Sequence, residues 1–233
     1  MLFRQLFDAA SSTFTYLLAS GVGREAVIID PVKEQLPHYL TLIADLELQL
    51  VTAIDTHTHA DHITALGDLR EALQCVTVMG EQTQAQCVSY RVKDGEVLQN
   101  DGINLRALFT PGHTNESFSF LLEGKAEPAV FTGDVLLIRG SGRTDFQGGD
   151  AHASWNSIVN RLFRLPDHTT VYPAHDYKGW TASSIGEERR HNPRLANKTE
   201  DQYVAFMRSL VLPNPKMMDI AVPANLACGR VAP

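Results

Sequence analysis

The sequence predicts a layered α/β fold with sheets covered by helices. Short apolar runs that end in turn residues recur along the chain as strands. Between them lie stretches with apolar residues at helical spacing. The chain is 233 residues long with 44% hydrophobic and 20% charged residues, enough to bury a sizeable core. Strands in series with interspersed helices imply sheets whose apolar faces are covered. The length corresponds to roughly 1.6 average domains, so residues 1–233 are read as a single domain with a C-terminal extension from about 212.

The elements follow in order. Phe14–Ala19 is rich in β-formers and stops at Gly21-Val22-Gly23, and Ala26–Ile29 stops at Asp30-Pro31, so the pair predicts a hairpin. Leu36, Leu40, Ile43 and Leu46 mark a helix within 33–48, and Leu50–Ile54 is a short buried strand. A loop begins at His57, and Ile63, Leu66, Leu69 and Leu73 mark a helix leaving it. Strands are expected at 75–79, 103–109, 117–122, 129–132 and 169–172. Trp155, Ile158, Val159, Leu162 and Phe163 describe a helix with one buried face. A helix over 199–210 is capped by Thr199 and has an acidic first turn. The tail from Leu212 holds four prolines and little periodicity, so no element is expected there.

Composition excludes several functions. With 20 Lys+Arg against 27 Asp+Glu the net charge is -7, which argues against nucleic acid and anionic membrane as partners. No apolar run reaches the length of a membrane span, and Arg4, Gln5 and Asp8 interrupt any signal-like stretch. Three cysteines cannot build a disulfide framework, and an odd count leaves a free thiol. A reducing, cytoplasmic location is the expectation. Cys75 and Cys87 lie in apolar stretches and read as core.

The nine histidines carry the chemistry. Thr56-His57-Thr58-His59-Ala60-Asp61-His62 puts four metal-ligand side chains between a strand and a helix. Residues two apart in extended chain share a side, so His57 and His59 can converge, while Asp61 and His62 feed a neighbouring point. Imidazole and carboxylate suit zinc, iron, manganese or nickel. Three strand ends add single ligands: His113 in Pro111-Gly112-His113-Thr114, Asp134 in Thr132-Gly133-Asp134, and His175 in Pro173-Ala174-His175-Asp176. His38, His152, His168 and His191 read as ordinary polar residues, and Asp30 as a turn residue before Pro31.

The series Thr-His-Thr-His-Ala-Asp-His, Gly-His-Thr, Thr-Gly-Asp and a late histidine resembles the metallo-β-lactamase superfamily. That resemblance implies an αββα sandwich with the metal site along one edge between the sheets. Narrower segments, Leu137–Gln147, His175–Gly179, Glu187–Arg194 and Val222–Leu226, resemble the persulfide dioxygenases. Those enzymes oxidise glutathione persulfide with O2 to sulfite and glutathione. The resemblance implies Fe(II), one per chain, held by His57, His113 and Asp134, a facial triad with open positions. His59, Asp61, His62 and His175 would orient ligands from behind, although in dinuclear relatives the same residue types bind a second metal. The family's glutathione contacts match Arg139 and Tyr177, with Lys178 beside them. Arg143 and Asp145 read as a structural ion pair. A homodimer, and a separate sulfurtransferase supplying the persulfide, complete the expectation.

The runner-up is glyoxalase II, a dinuclear hydrolase of glutathione thioesters. It explains the ligands but not the Arg139–Gln147 insert or the Glu187–Arg194 and Val222–Leu226 segments. A non-catalytic binding protein on the same fold predicts a lost ligand, and none is lost.

Overall fold

A computed structural model describes residues 1–124, 127–215 and 217–230. Two six-stranded sheets form its centre. The first is ordered β1 (Leu2–Asp8), β2 (Thr13–Ala19), β3 (Glu25–Ile29), β4 (Gln49–Ile54), β5 (Val76–Gly80) and β6 (Tyr90–Val92). The second holds β7 (Val97–Asn100), β8 (Ile103–Phe109), β9 (Phe118–Glu123), β10 (Ala129–Gly133), β13 (Thr170–Pro173) and β14 (Ser183–Ser184), running from β14 at one edge through β13, β10, β9 and β8 to β7. A small ribbon, β11 (Leu136–Leu137) and β12 (Gly140–Ser141), follows β10.

Alternation along β2 explains the layers. Phe14, Tyr16 and Leu18 point into the cluster between the sheets with Ile54, Ile103, Phe118, Phe120 and Phe131. Leu17 and Ala19 point the other way, against α1 (Leu36–Asp45) and α2 (Leu66–Leu73). On the outer face of the second sheet, Leu121 and Val130 meet α3 (Ala151–Trp155), the turns that continue it, and α5 (Glu200–Ser209). Strands buried on both faces need apolar residues at nearly every position, and β2 is buried throughout. The order helix, sheet, sheet, helix is the expected αββα sandwich.

The hairpin, the strands at 103–109, 118–123, 129–133 and 170–173, and α5 match the sequence reading. Thr199 accepts from the Gln202 amide, and Gln202 returns the bond in a capping box. β1 escaped the reading because it is an edge strand with only Leu2 and Asp8 buried. β6 and β7 are short, half-exposed strands without a run to announce them. The helix expected around 155–163 is three pieces: α3, capped by Asp150, a π-helical turn at Asn156–Arg161 and a 3-10 turn at Leu162–Arg164. The extra residue per turn still delivers Ile158, Leu162 and Phe163 to the core.

Two expectations are corrected. The tail contains a helix, α6 (Met218–Leu226), with Pro223 inside it. Its small Ala221 and Ala224 pack on Ile63, a tertiary contact that periodicity could not show. Cys87 is not a core thiol but forms a disulfide with Cys228, 141 residues away. Cys75 is the buried free thiol. The step from unpaired cysteines to a reducing compartment therefore loses its premise. No helix among the described residues is long and apolar enough to cross a membrane.

Truncating the inter-sheet core tests this layering. Phe120→Ala removes a side chain with no exposed surface and is expected to cost about 3–5 kcal/mol. Urea unfolding of the metal-free protein measures it.

Candidate metal centre

Strand order brings the ligands to one edge. β3 and β4 are parallel, with Ile29 opposite Ile54, so Asp30 and the 55–62 loop emerge side by side. β10 and β13 are also parallel, so Asp134 and His175 leave neighbouring strands at that same edge. His113 follows β8. Gly133 has φ +52°, and a Cβ there would meet Thr56 Oγ1 at 2.7 Å. Glycine is what lets the Asp134 turn approach the histidine loop so closely.

His57, His113 and Asp134 bring one donor atom each within 4.8 Å of one another. The His57 and His113 rings stand perpendicular with centroids 5.0 Å apart. His113 Nε2 lies 3.6 Å from Asp134 Oδ2. The hydrogen bonds behind them decide the tautomers. The Thr56 hydroxyl donates to Asp30 Oδ2 (3.0 Å), so at 2.9 Å it accepts from His57 Nδ1. His113 Nδ1 faces the Arg143 carbonyl at 2.8 Å, which can only accept. Both rings therefore carry the proton on Nδ1 and keep the Nε2 lone pair for a ligand. Burial, reinforced by His59 and His113, pushes the His57 imidazole well below its usual range, so it is neutral and ready to bind.

A second group, His59, Asp61 and His62, also converges within 4.8 Å. His59 Nε2 donates to Asp30 Oδ1 (3.1 Å) and His62 Nδ1 to Asp61 Oδ2 (3.0 Å). His175 Nδ1 donates to the Ser12 carbonyl (3.1 Å). Its Nε2 lies 3.5 Å from Asp61 and 3.6 Å from Asp134. Burial alone would lower the His175 pKa, but Asp134 and Asp61 outweigh it and lift it to about 10. The same contacts, against burial, hold both aspartates below the ordinary carboxylate range. Asp134 Oδ1, His59 Nδ1 and His62 Nε2 are buried without a hydrogen-bond partner among the described residues. Orphaned atoms of this kind cost about 1–3 kcal/mol each, and a cation bound by such nitrogen and oxygen donors offsets that cost. The donor set fits a metal ion.

The site opens into a cavity of about 550 Å³ bordered by Arg139, Arg143, Phe146, Tyr177, Lys178 and Arg194. Tyr177 is exposed and stacks parallel on His175, centroids 5.9 Å apart. Lys178, also at the cavity border, donates its backbone N–H to Asp176 (2.9 Å). Arg139 reaches the cavity as expected, but its guanidinium donates to Glu187 and to the fully buried Glu188, and sits 5.2 Å from the Trp180 ring. Arg143 pairs with Asp145 at 2.6 Å and donates to the Pro213 carbonyl, the structural role predicted for it. Its carbonyl also orients His113, which the sequence did not reveal.

Other functional residues were missed. Asp30 is not a simple turn residue. It is buried, has φ +52°, and accepts from Thr56 N (2.7 Å), Thr56 Oγ1 and His59. The available signal was its place directly after a buried strand, the same position that marked Asp134. Glu116 accepts from Thr58 N (2.8 Å) and Gln147 donates to Thr58 O (2.9 Å); neither had a signal.

The profile of the metallo-beta-lactamase superfamily matches residues 9–175. Persulfide dioxygenase ETHE1, mitochondrial, of Homo sapiens is 45% identical over 234 residues, covering 100% of this chain and 91% of the relative. The crystal structure of ETHE1 from Myxococcus xanthus superposes with a TM-score of 0.95 at 50% identity, covering 99% of this chain and 100% of that one. A probable hydroxyacylglutathione hydrolase of Schizosaccharomyces pombe is 34% identical over 190 residues, 80% of this chain and 71% of the relative.

Two variants test the site. His113→Ala and Asp134→Ala are each expected to purify folded but metal-poor, read by elemental analysis beside circular dichroism; normal metal content in both would remove the pair from the ligand set. Arg139→Ala removes the guanidinium paired with the buried Glu188 carboxylate, which keeps bonds from the residue-139 N–H, Ser183 and Asn192. It is expected to lower stability by about 1–3 kcal/mol as well as raise KM, read from urea unfolding and steady-state kinetics.

Proposed function

The chain belongs to the metallo-β-lactamase superfamily and, within it, to the persulfide dioxygenases, and from that premise we propose that it oxidises glutathione persulfide with O2 and water to sulfite and glutathione. The balance is one persulfide, one O2 and one water giving glutathione, sulfite and two protons. The observation that carries this reading is the convergence of His57, His113 and Asp134, with both imidazoles turned Nε2-outward, at the end of a cleft bordered by Tyr177 and Lys178.

In the proposed enzyme His57, His113 and Asp134 hold one Fe(II). Bound there, Fe(II) would supply the redox centre at which O2 accepts the four electrons given up by the outer persulfide sulfur as it becomes sulfite. The chain's own residues do the rest. Thr56 and the Arg143 carbonyl keep the two imidazoles in the ligating tautomer. His175 stands beside Asp61 and Asp134, with Nε2 3.5 and 3.6 Å from their carboxylates, and its positive charge keeps both carboxylates ionised at the site. Lys178 and Tyr177 border the entrance and give the glutathione moiety a cation and a phenol. Arg139 assists there through the ion-paired frame it shares with Glu187 and Glu188. A homodimer and a separate sulfurtransferase donor belong to the same proposal.

One observation favours a second reading. His59, Asp61 and His62 keep their free nitrogens and mutual spacing, as a glyoxalase II-type dinuclear hydrolase requires.

The deciding measurement is O2 uptake on adding glutathione persulfide, with sulfite and metal content determined on the same sample. Equal O2 loss and sulfite gain with about one iron per chain is the expected result. Hydrolysis of S-lactoylglutathione by protein with about two metals per chain, without O2 uptake, would support the hydrolase.

A further inference from the structure

The Val222–Leu226 segment, singled out in the sequence, is not part of the proposed chemistry, yet it meets the metal loop. Asn225 lies on α6 and is buried. Its amide Nδ2 donates to the carbonyls of His59 and His62, both at 2.9 Å, and its Oδ1 accepts from the Thr64 N–H at 2.9 Å. One side chain from the end of the chain thus ties three backbone groups of residues 59–64. Those groups have no place in helix or sheet ladders, and buried backbone groups demand partners.

The helix that carries Asn225 is itself anchored. Ala221 and Ala224 pack on Ile63. The Cys228 carbonyl accepts from Gly67 N (3.0 Å) at the start of α2. The Gly229 carbonyl accepts from Lys33 Nζ (3.0 Å). A Cβ at Gly229 would sit 2.1 Å from the Thr64 carbonyl, so the two segments are in backbone contact. Cys228 is covalently joined to Cys87, which ties the end of α6 to the segment between β5 and β6.

We infer that Asn225 is a positioning residue for the metal loop, and that the Cys87–Cys228 bridge holds it in register. The amide fixes the spacing of His59, Asp61 and His62, and through the loop's entry, of His57. The inference concerns the loop's order and rests on the proposed function only where iron is read out.

Two variants separate this role from simple packing. Asn225→Asp keeps the acceptor for Thr64 N but loses both donors to the carbonyls; Asn225→Ala loses all three bonds. Hydrogen exchange of the metal-free proteins reads the loop whether or not the proposed reaction is correct. Exchange across 57–66 is expected to accelerate while that of β2 and β3 stays as in wild type. In the iron-loaded proteins, release to a chelator is expected to quicken by about tenfold to hundredfold, with kcat falling more than KM rises. Unchanged exchange in this loop, or a fall in melting temperature with normal exchange and iron release, would overturn the positioning role. Protein that never binds iron but shows the loop effect would sink the proposed function and leave this inference standing. Cys87→Ser keeps Asn225 and opens the bridge, and decides the matter if the Asn225 variants do not fold. Faster exchange at both 57–66 and 218–229 supports the inference, and wild-type exchange at both refutes it.

Discussion

A buried carboxylate organises this protein. Asp30 ends β3 with almost no exposed surface, and it accepts from the Thr56 amide, the Thr56 hydroxyl and His59. Burial raises its pKa, and the neighbouring His57, the two Thr56 donors and His62 oppose that shift. Leaving such a group unpaired is far more costly than any single contact in the loop is worth. The backbone must therefore bring Thr56 and His59 to Asp30. Once Thr56 spends its proton on Asp30 it can only accept from His57, and the tautomer of the first ligand follows. A carboxylate that reaches His57 only through the Thr56 hydroxyl thus sets its tautomer.

The sheets supply what the loop cannot. Ligands spaced from residue 57 to residue 175 meet because β3, β4, β10 and β13 all end at the same edge of the sandwich. The aromatic packing of Tyr16, Phe131 and Tyr172 locks the two sheets there, with ring centroids 4.9–5.6 Å apart. Tyr16 adds a hydrogen bond to the Pro173 carbonyl at 2.6 Å, two residues before His175. Precise placement of donors is easier on strand ends than on free loops, because each is held by a packed element behind it.

Electrostatics and binding share the same groups. The His175–Asp61–Asp134 cluster shields one charge with another in a nearly dry rim. The cavity beyond brings Arg139, Arg143, Lys178 and Arg194 together with Asp61, Asp134 and Asp176. Two of its arginines are committed to glutamate and aspartate partners. They shape the wall and leave Lys178 and the half-buried Arg194 as cations without an acidic partner among the described residues. Burial lowers the Arg194 pKa from its very high ordinary value.

Local order along the chain was enough for much of this. Apolar runs with turn residues marked the hairpin, the central strands and α5, because those elements are buried on one or both faces and their composition must say so. The candidate ligands His57, His113 and Asp134, and His175 beside them, were legible for the same reason: each follows a strand that announces itself. What sequence alone could not show are contacts made by unremarkable residues with distant partners. Edge strand β1 buries too little to leave a pattern. Asp30 looked like a turn residue because its three donors lie 26 and 29 positions away. Arg143 orients His113 through a carbonyl, which every residue has. The Cys87–Cys228 pairing and the grip of Asn225 on the loop span 141 and more than 160 residues, and only the folded chain brings them together. Sequence by itself determined which chemical groups line the edge of the sandwich. Tertiary structure decided which nitrogen of each imidazole faces inward and what holds the loop still, because those depend on hydrogen bonds between groups that local spacing does not relate.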